Sequence, residues 1–159
     1  MTTKIHRIAI AVKDIDLAID KYSKMFGATF VKTADAVSQH VGVYVASDWT
    51  MGIELASPVP GSVNLVTQKM ERYLADHGEG VFGTAFVVDD MEHALEKANQ
   101  AGVKELMPTF GFTPEQLDAE FGGVFTRFEE TLMDTEESCG FTVAFCLFEP
   151  NAMFAPSKD

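Results

Sequence analysis

Arg7-Ile8-Ala9-Ile10-Ala11-Val12-Lys13-Asp14-Ile15-Asp16-Leu17-Ala18 reads as a strand running into a helix, and Gly83-Thr84-Ala85-Phe86-Val87-Val88-Asp89-Asp90-Met91-Glu92-His93-Ala94 repeats the reading. Identities fall at Ala9/Ala85, Val12/Val88, Asp14/Asp90, Ala18/Ala94 and Lys21/Lys97, and apolar residues match apolar ones between them. A supersecondary unit used twice predicts two half-sheets that enclose one core and one cavity.

Working outward from the first copy, Asp14 predicts an N-cap, because its carboxylate can accept from the free amides of the turn that follows. Ile15, Ala18, Ile19, Tyr22 and Met25 recur at helical spacing and predict one apolar face, with Gly27 as the stop. Ala28 to Lys32, Val41 to Ala46 and Met51 to Leu55 read as strands, with Ser47-Asp48-Trp49-Thr50 as the turn between the last two. This gives a first βαβββ module over residues 4–58. Pro58 and Pro60 break it, and a linking segment follows over 59–80, with a helix from Val63 to His77 closed by Gly78-Glu79-Gly80.

The second module, 81–150, repeats the plan. A strand from Val81 to Val88 precedes the N-cap Asp90, a helix from Met91 to Gln100 and the stop Gly102. Lys104 to Met107, Thr126 to Met133 and Phe141 to Phe148 are the expected remaining strands. Thr113-Pro114-Glu115-Gln116-Leu117 reads as a capped helical turn with Pro at its first position.

The chain of 159 residues, 47% hydrophobic with 13 Phe, has the length of one globular domain, 1–159. Its net charge of -12 argues against nucleic acid and anionic membranes, both of which draw on clustered Lys and Arg. The N-terminus enters a strand without a long apolar segment, so no signal peptide or membrane span is expected. Cys139 and Cys146 have neither a metal spacing nor a disulfide framework, which points to reduced thiols and a cytoplasmic setting. Glu115, Asp118, Glu120, Glu129, Glu130, Asp134, Glu136 and Glu137 crowd around the single base Arg127 and read as a solvated edge, or as a rim that attracts a cation.

The paired modules, with Ile8-Ala9-Ile10-Ala11-Val12-Lys13-Asp14, Ile53-Glu54-Leu55 before Pro58, Gly78-Glu79-Gly80 and Ala85-Phe86-Val87-Val88-Asp89-Asp90, resemble the vicinal oxygen chelate superfamily. That superfamily includes glyoxalase I, extradiol dioxygenases, methylmalonyl-CoA epimerase, fosfomycin-resistance enzymes and bleomycin-resistance proteins. Within it the chain looks most like the methylmalonyl-CoA epimerases. The resemblance implies an α+β fold in which two tandem βαβββ modules form one cup-shaped mixed sheet, a homodimer, and a small organic molecule as ligand.

It also implies a divalent metal held by a His on the first strand and a Glu or Gln on the last strand of each module. Those positions fall here on Arg7, Gly83, Glu54, and Ala144 or Cys146. Only Glu54 matches, so no metal and no other cofactor is expected. His6 adjoins Arg7, but a one-residue slip turns a strand side chain to the other face, while His77 and His93 fall in helices. A guanidinium on the same face as Glu54 predicts an Arg7–Glu54 pair where relatives hold the metal.

Period-two alternation puts Arg7, Ala9 and Ala11 on the cup face of the first strand, with Gly83, Ala85 and Val87 as their counterparts. Small residues there predict an apolar cavity with a few polar anchors. Arg7, His40, Tyr44, Glu54 and Arg127 are the candidates, with Glu54, His40 or Tyr44 for proton transfer and Arg7 and Arg127 for ligand binding. The expected function is a metal-independent isomerase or lyase acting on a small metabolite. The alternative is a non-catalytic sequestering protein of the bleomycin-resistance kind. Methylmalonyl-CoA epimerase and glyoxalase proper fit less well, since Val41-Gly42-Val43-Tyr44-Val45 lacks the carboxylate that epimerase chemistry would need there.

Overall fold

Both modules fold as α+β units around the strand–cap–helix start read from the repeat. The computed structural model describes residues 4–121 and 123–150. The chain divides into two compact units, one spanning Ile5–Ala85 and one built from Phe86 onward.

In the first unit β1 (Lys4–Ala11) leads into α1 (Ile15–Phe26), capped by the Asp14 side chain on the amides of Asp16 and Leu17. Gly27 closes α1 in the left-handed region at φ 70. Then follow β2 (Val31–Lys32), α2 (Asp35–Val41), β3 (Val43–Asp48), β4 (Ile53–Pro58) and α3 (Leu65–His77), capped by Asn64. The strand order is β2-β3-β4-β1, with β5 (Gly80–Val87) beside β1. β1 runs parallel to β4, and β3 antiparallel to it.

Alternation decides the two faces. Ile10, Val12, Tyr44, Ala46, Ile53 and Leu55 pack against Ile15, Ala18, Ile19 and Tyr22 of α1 and form the core of this unit. Leu55 and Ala46 are wholly buried, and burial on this scale contributes about 1.5–3 kcal/mol for each large aliphatic side chain. Met25, expected on the inner face of α1, is 61% exposed.

The second unit carries α4 (Met91–Gln100), capped by Asp90 on the amide of His93, then β6 (Phe110–Gly111), α5 (Pro114–Phe121), β7 (Phe125–Met133), α6 (Glu136–Cys139) and β8 (Thr142–Pro150). Its strand order is β8-β7-β6. Val88, Met91, Ala94 and Leu147 form the core under α4, with Leu95 and Phe145 against it. Phe112, Phe121 and Phe128 lie 5.3 to 5.4 Å apart by ring centroids and hold α5 on β7.

Several elements differ from the sequence reading, among them the short helix α6 and the later starts of β3 and β4. Lys104 to Met107 forms no strand, only an isolated bridge from Glu105 to Met133, and the short edge strand is Phe110–Gly111 instead. Ala28 to Lys32 shortens to Val31–Lys32. The helix α2 stands where no helix was expected, since Ala34 at its cap offers no side-chain acceptor. With α2 included, the first module reads β-α-β-α-β-β; the second follows the same order with the short α6 added between its last two strands, and α2 is the counterpart of α5.

Candidate functional site

The face of the first sheet turned away from α1 carries the most concentrated polar chemistry of that unit. Arg7 projects from β1 and is 4% exposed, and its Nε donates to Glu54 Oε2 on β4 at 2.5 Å. Ser47 Oγ on β3 donates to the same oxygen at 3.4 Å. The Arg7 guanidinium carbon lies 5.4 Å from the Trp49 ring centroid, a cation–π distance, and the His6 ring lies 5.5 Å from the same indole. His6 Nδ1 stands 3.5 Å from Arg7 Nη1 and can accept from it.

Asp48 fixes the turn that presents Trp49. Its Oδ1 accepts from the amides of Thr50 and Met51 and its Oδ2 from the amide of Thr29. These bonds, that from Met51 first, hold its carboxyl below the ordinary aspartate range. Gly52 follows at φ +67, where a Cβ would stand 2.8 Å from the His6 carbonyl oxygen, so the turn presses against β1.

Of the residues singled out from sequence, Arg7 and Glu54 come together, and His40 and Tyr44 in the same unit do not join them. His40, expected at the start of an inner strand, occupies the last turn of α2 and is exposed, because Gly42 ends a helix there and delays β3 to Val43. Tyr44 pairs across the ladder with Ser57 and so lies on the α1 side of the sheet, opposite to Glu54. Its ring receives Lys32 Nζ at 5.6 Å, and Lys32 is in turn held by Asp16 at 2.9 Å, which raises its pKa. Arg127, in the second unit, is 47% exposed and spans Glu129 at 2.8 Å and Glu149 at 3.4 Å, with Glu129 the larger cause of its raised pKa.

One acid read as part of a solvated rim is misplaced by that reading. Glu130 is 8% exposed and accepts a hydrogen bond from Cys146 Sγ at 3.0 Å across the β7–β8 ladder. The sequence held the signal: in Phe128-Glu129-Glu130-Thr131-Leu132, alternation puts Glu130 in line with Phe128 and Leu132.

The donor set for a divalent ion can be checked by register. Val12 N donates to Ala56 O, and its repeat partner Val88 N donates to Cys146 O. Cys146 therefore corresponds to Ala56, and Glu54 corresponds to Ala144, which has no donor. The positions implied for a metal thus hold Arg7, Gly83, Glu54 and Ala144, with Arg7 bonded to the sole carboxylate. Among the described residues no group of three or more His, Cys, Asp or Glu side chains could hold a metal ion. The residues present do not fit one.

Two α+β modules that each begin with the same strand–cap–helix start and continue through a short strand, a helix and two longer strands belong to the vicinal oxygen chelate class of α+β proteins. The family model described as Glyoxalase/Bleomycin resistance protein/Dioxygenase superfamily matches residues 6–122, and the chain belongs to that superfamily. Among solved structures it is similar to the methylmalonyl-CoA epimerase from Mycobacterium tuberculosis, at 18% identity and TM-score 0.66 over 95% of this chain and 91% of that one. It is similar also to a variant of the Streptomyces coelicolor methylmalonyl-CoA epimerase in complex with 2-nitronate-propionyl-CoA, at 21% identity and TM-score 0.67 over 98% and 100%. A hypothetical protein from Bacillus halodurans C-125 gives 17% identity and TM-score 0.67 over 96% and 99%. No curated protein matches the sequence. No helix among the described residues is long and apolar enough to cross a membrane.

Proposed function

We propose that the protein binds a small organic molecule on the Arg7–Glu54 face and acts on it as an isomerase or lyase without a resident divalent metal. The observation that carries this reading is the 2.5 Å bond between Arg7 and Glu54, with Ser47 donating to the same carboxylate oxygen. A guanidinium supplies fixed positive charge where relatives use a cation, and it orients Glu54 as the proton-transfer group. The likeness to epimerases that take CoA esters makes an acyl thioester or a related acid with an acidic C–H the first class to try.

The positions of His40 and Tyr44 favour a second reading, binding without turnover, because neither stands with Glu54 to complete an acid–base pair. Protein taken directly from cells, analysed by native mass spectrometry with and without EDTA, tests the metal-free claim. A stoichiometric divalent ion overturns it. Turnover of methylmalonyl-CoA or a related thioester that Glu54→Gln abolishes supports the enzymatic reading. Tight ligand binding with no turnover supports sequestration.

A further inference from the structure

Two acids of α1 are paired with lysines: Asp20 with Lys24 at 2.7 Å, and Asp16 with Lys32 at 2.9 Å. Four charged groups beside them are not. Lys13, Asp14, Lys21 and Glu79 line one cavity of about 230 Å3 in the first unit, and among the described residues none of the four side chains enters an ion pair. Two positive and two negative charges thus share a cavity without neutralising one another directly.

The cavity lies between the first half of α1 and the turn before β5. The Lys13 amide donates to Glu79 Oε1 at 2.9 Å and ties that turn to the start of the helix. Asp14 is held in the same manner, its Oδ1 accepting from the amides of Asp16 and Leu17. Each acid is therefore fixed through one oxygen and keeps its charge. Leu17, 70% exposed, adds aliphatic surface to the lining, with buried Ala18 and the half-buried Tyr22 ring beside it.

The second copy of the strand–helix start replaces Lys13, Leu17 and Tyr22 with Asp89, His93 and Ala98. These walls are additions to the repeat and not requirements of it. They also stand apart from Arg7 and Glu54, because α1 packs on the opposite face of the sheet.

We propose that this cavity binds a free α-amino acid with a small aliphatic side chain. A simple anion would meet Asp14 and Glu79, and a simple cation would meet Lys13 and Lys21. A dipolar ion answers both signs, with its carboxylate toward the lysines, its ammonium toward the acids and its side chain against Leu17, Ala18 and Tyr22. The volume is below the ~300–1,000 Å3 of pockets for drug-sized ligands and suits a molecule of this size. Binding breaks no bond and is independent of the isomerase or lyase reading.

The experiment is titration of the isotope-labelled full chain with L-leucine, read by the amide shifts of its NMR spectrum. Saturable shifts confined to residues 13–22 and Glu79 are expected. Isocaproate, which lacks the ammonium, and isoamylamine, which lacks the carboxylate, should each bind about 10-fold more weakly. Glu79→Gln keeps an acceptor for the Lys13 amide while removing the charge, and Lys21→Gln removes a charge from the other end. Each should weaken L-leucine by about 3–10-fold. Both side chains are exposed, and amide shifts away from the cavity report that the variants fold. Shifts that fail to saturate, that map elsewhere, or that keep their midpoint within about twofold in both variants overturn the site. Isocaproate or isoamylamine binding as tightly as L-leucine overturns the dipolar ligand.

Discussion

Arg7 reaches Glu54 diagonally: the residue directly opposite Glu54 on β1 is Ala9, and the guanidinium crosses from the preceding position on the same face to bond Oε2. The small side chain of Ala9 leaves the space that the longer arginine spans. The pair is thus set by register as much as by charge.

Removing Arg7 takes from the largely buried Glu54 carboxylate its guanidinium donor, and the Ser47 hydroxyl is a weak substitute for that charge. Arg7→Met should destabilise the protein by about 3–5 kcal/mol, whereas the double substitution Arg7→Met with Glu54→Leu should recover most of that loss. Urea unfolding of the three proteins checks this. A double variant no more stable than the single one would show that packing, not charge, sets the cost.

Asp48 gives a pH dependence with a definite sign. Its folded pKa lies below the unfolded value of 3.8, so its contribution to stability is complete above that value and is lost as pH falls through the folded one. Asp48→Asn should therefore cost about 1–3 kcal/mol near neutrality, and the gap from wild type should narrow as the pH drops below about 3.8. Denaturant midpoints across that range read it directly. A gap that stays constant with pH would remove the carboxylate from the account.

Gly27 and Gly42 both adopt left-handed φ, but only Gly42 is crowded, with Thr67 Oγ1 at 2.5 Å and Asn64 Cβ at 2.6 Å from the place of a Cβ. Gly27→Ala should cost about 1 kcal/mol from conformation alone. Gly42→Ala should cost a further ~1–3 kcal/mol from overpacking. Equal losses in thermal unfolding would mean that α3 yields freely at this contact.

The two N-caps of the repeat should prove unequal. Asp14 serves the amides of Asp16 and Leu17, and Asp90 serves that of His93 alone. Asp14→Ala and Asp90→Ala should each cost about 0.5–2 kcal/mol, with Asp14→Ala the larger. Chemical denaturation of each variant decides the order.

The parts of the fold legible in sequence are those written locally. Asp14, Asp90 and Gly27 cap where their chemistry predicts, and α4 spans Met91–Gln100 as read. Thr113 and Gln116 bond each other's amides across the first turn of α5, a reciprocal cap that the sequence spells out. α2 escaped because Ala34 carries no capping group, and its loss displaced His40 onto a strand it does not occupy. Arg7 with Glu54 was legible because alternation and charge agreed. Glu130 was missed because its neighbours are acids, and net charge along the chain masked the alternation that buries it.

The Gly42 carbonyl accepts both the Thr67 hydroxyl, at 2.6 Å, and the amide of Val59, at 3.1 Å. The α2–β3 junction is thereby tied to the segment after β4 and to α3, all within residues 35–77. During synthesis on the ribosome these partners emerge within a short interval of one another, ahead of β7 and β8. The first half of the duplication can then settle its own junctions while the second is still being translated, which limits the time in which two similarly patterned strand–helix starts compete for the same places.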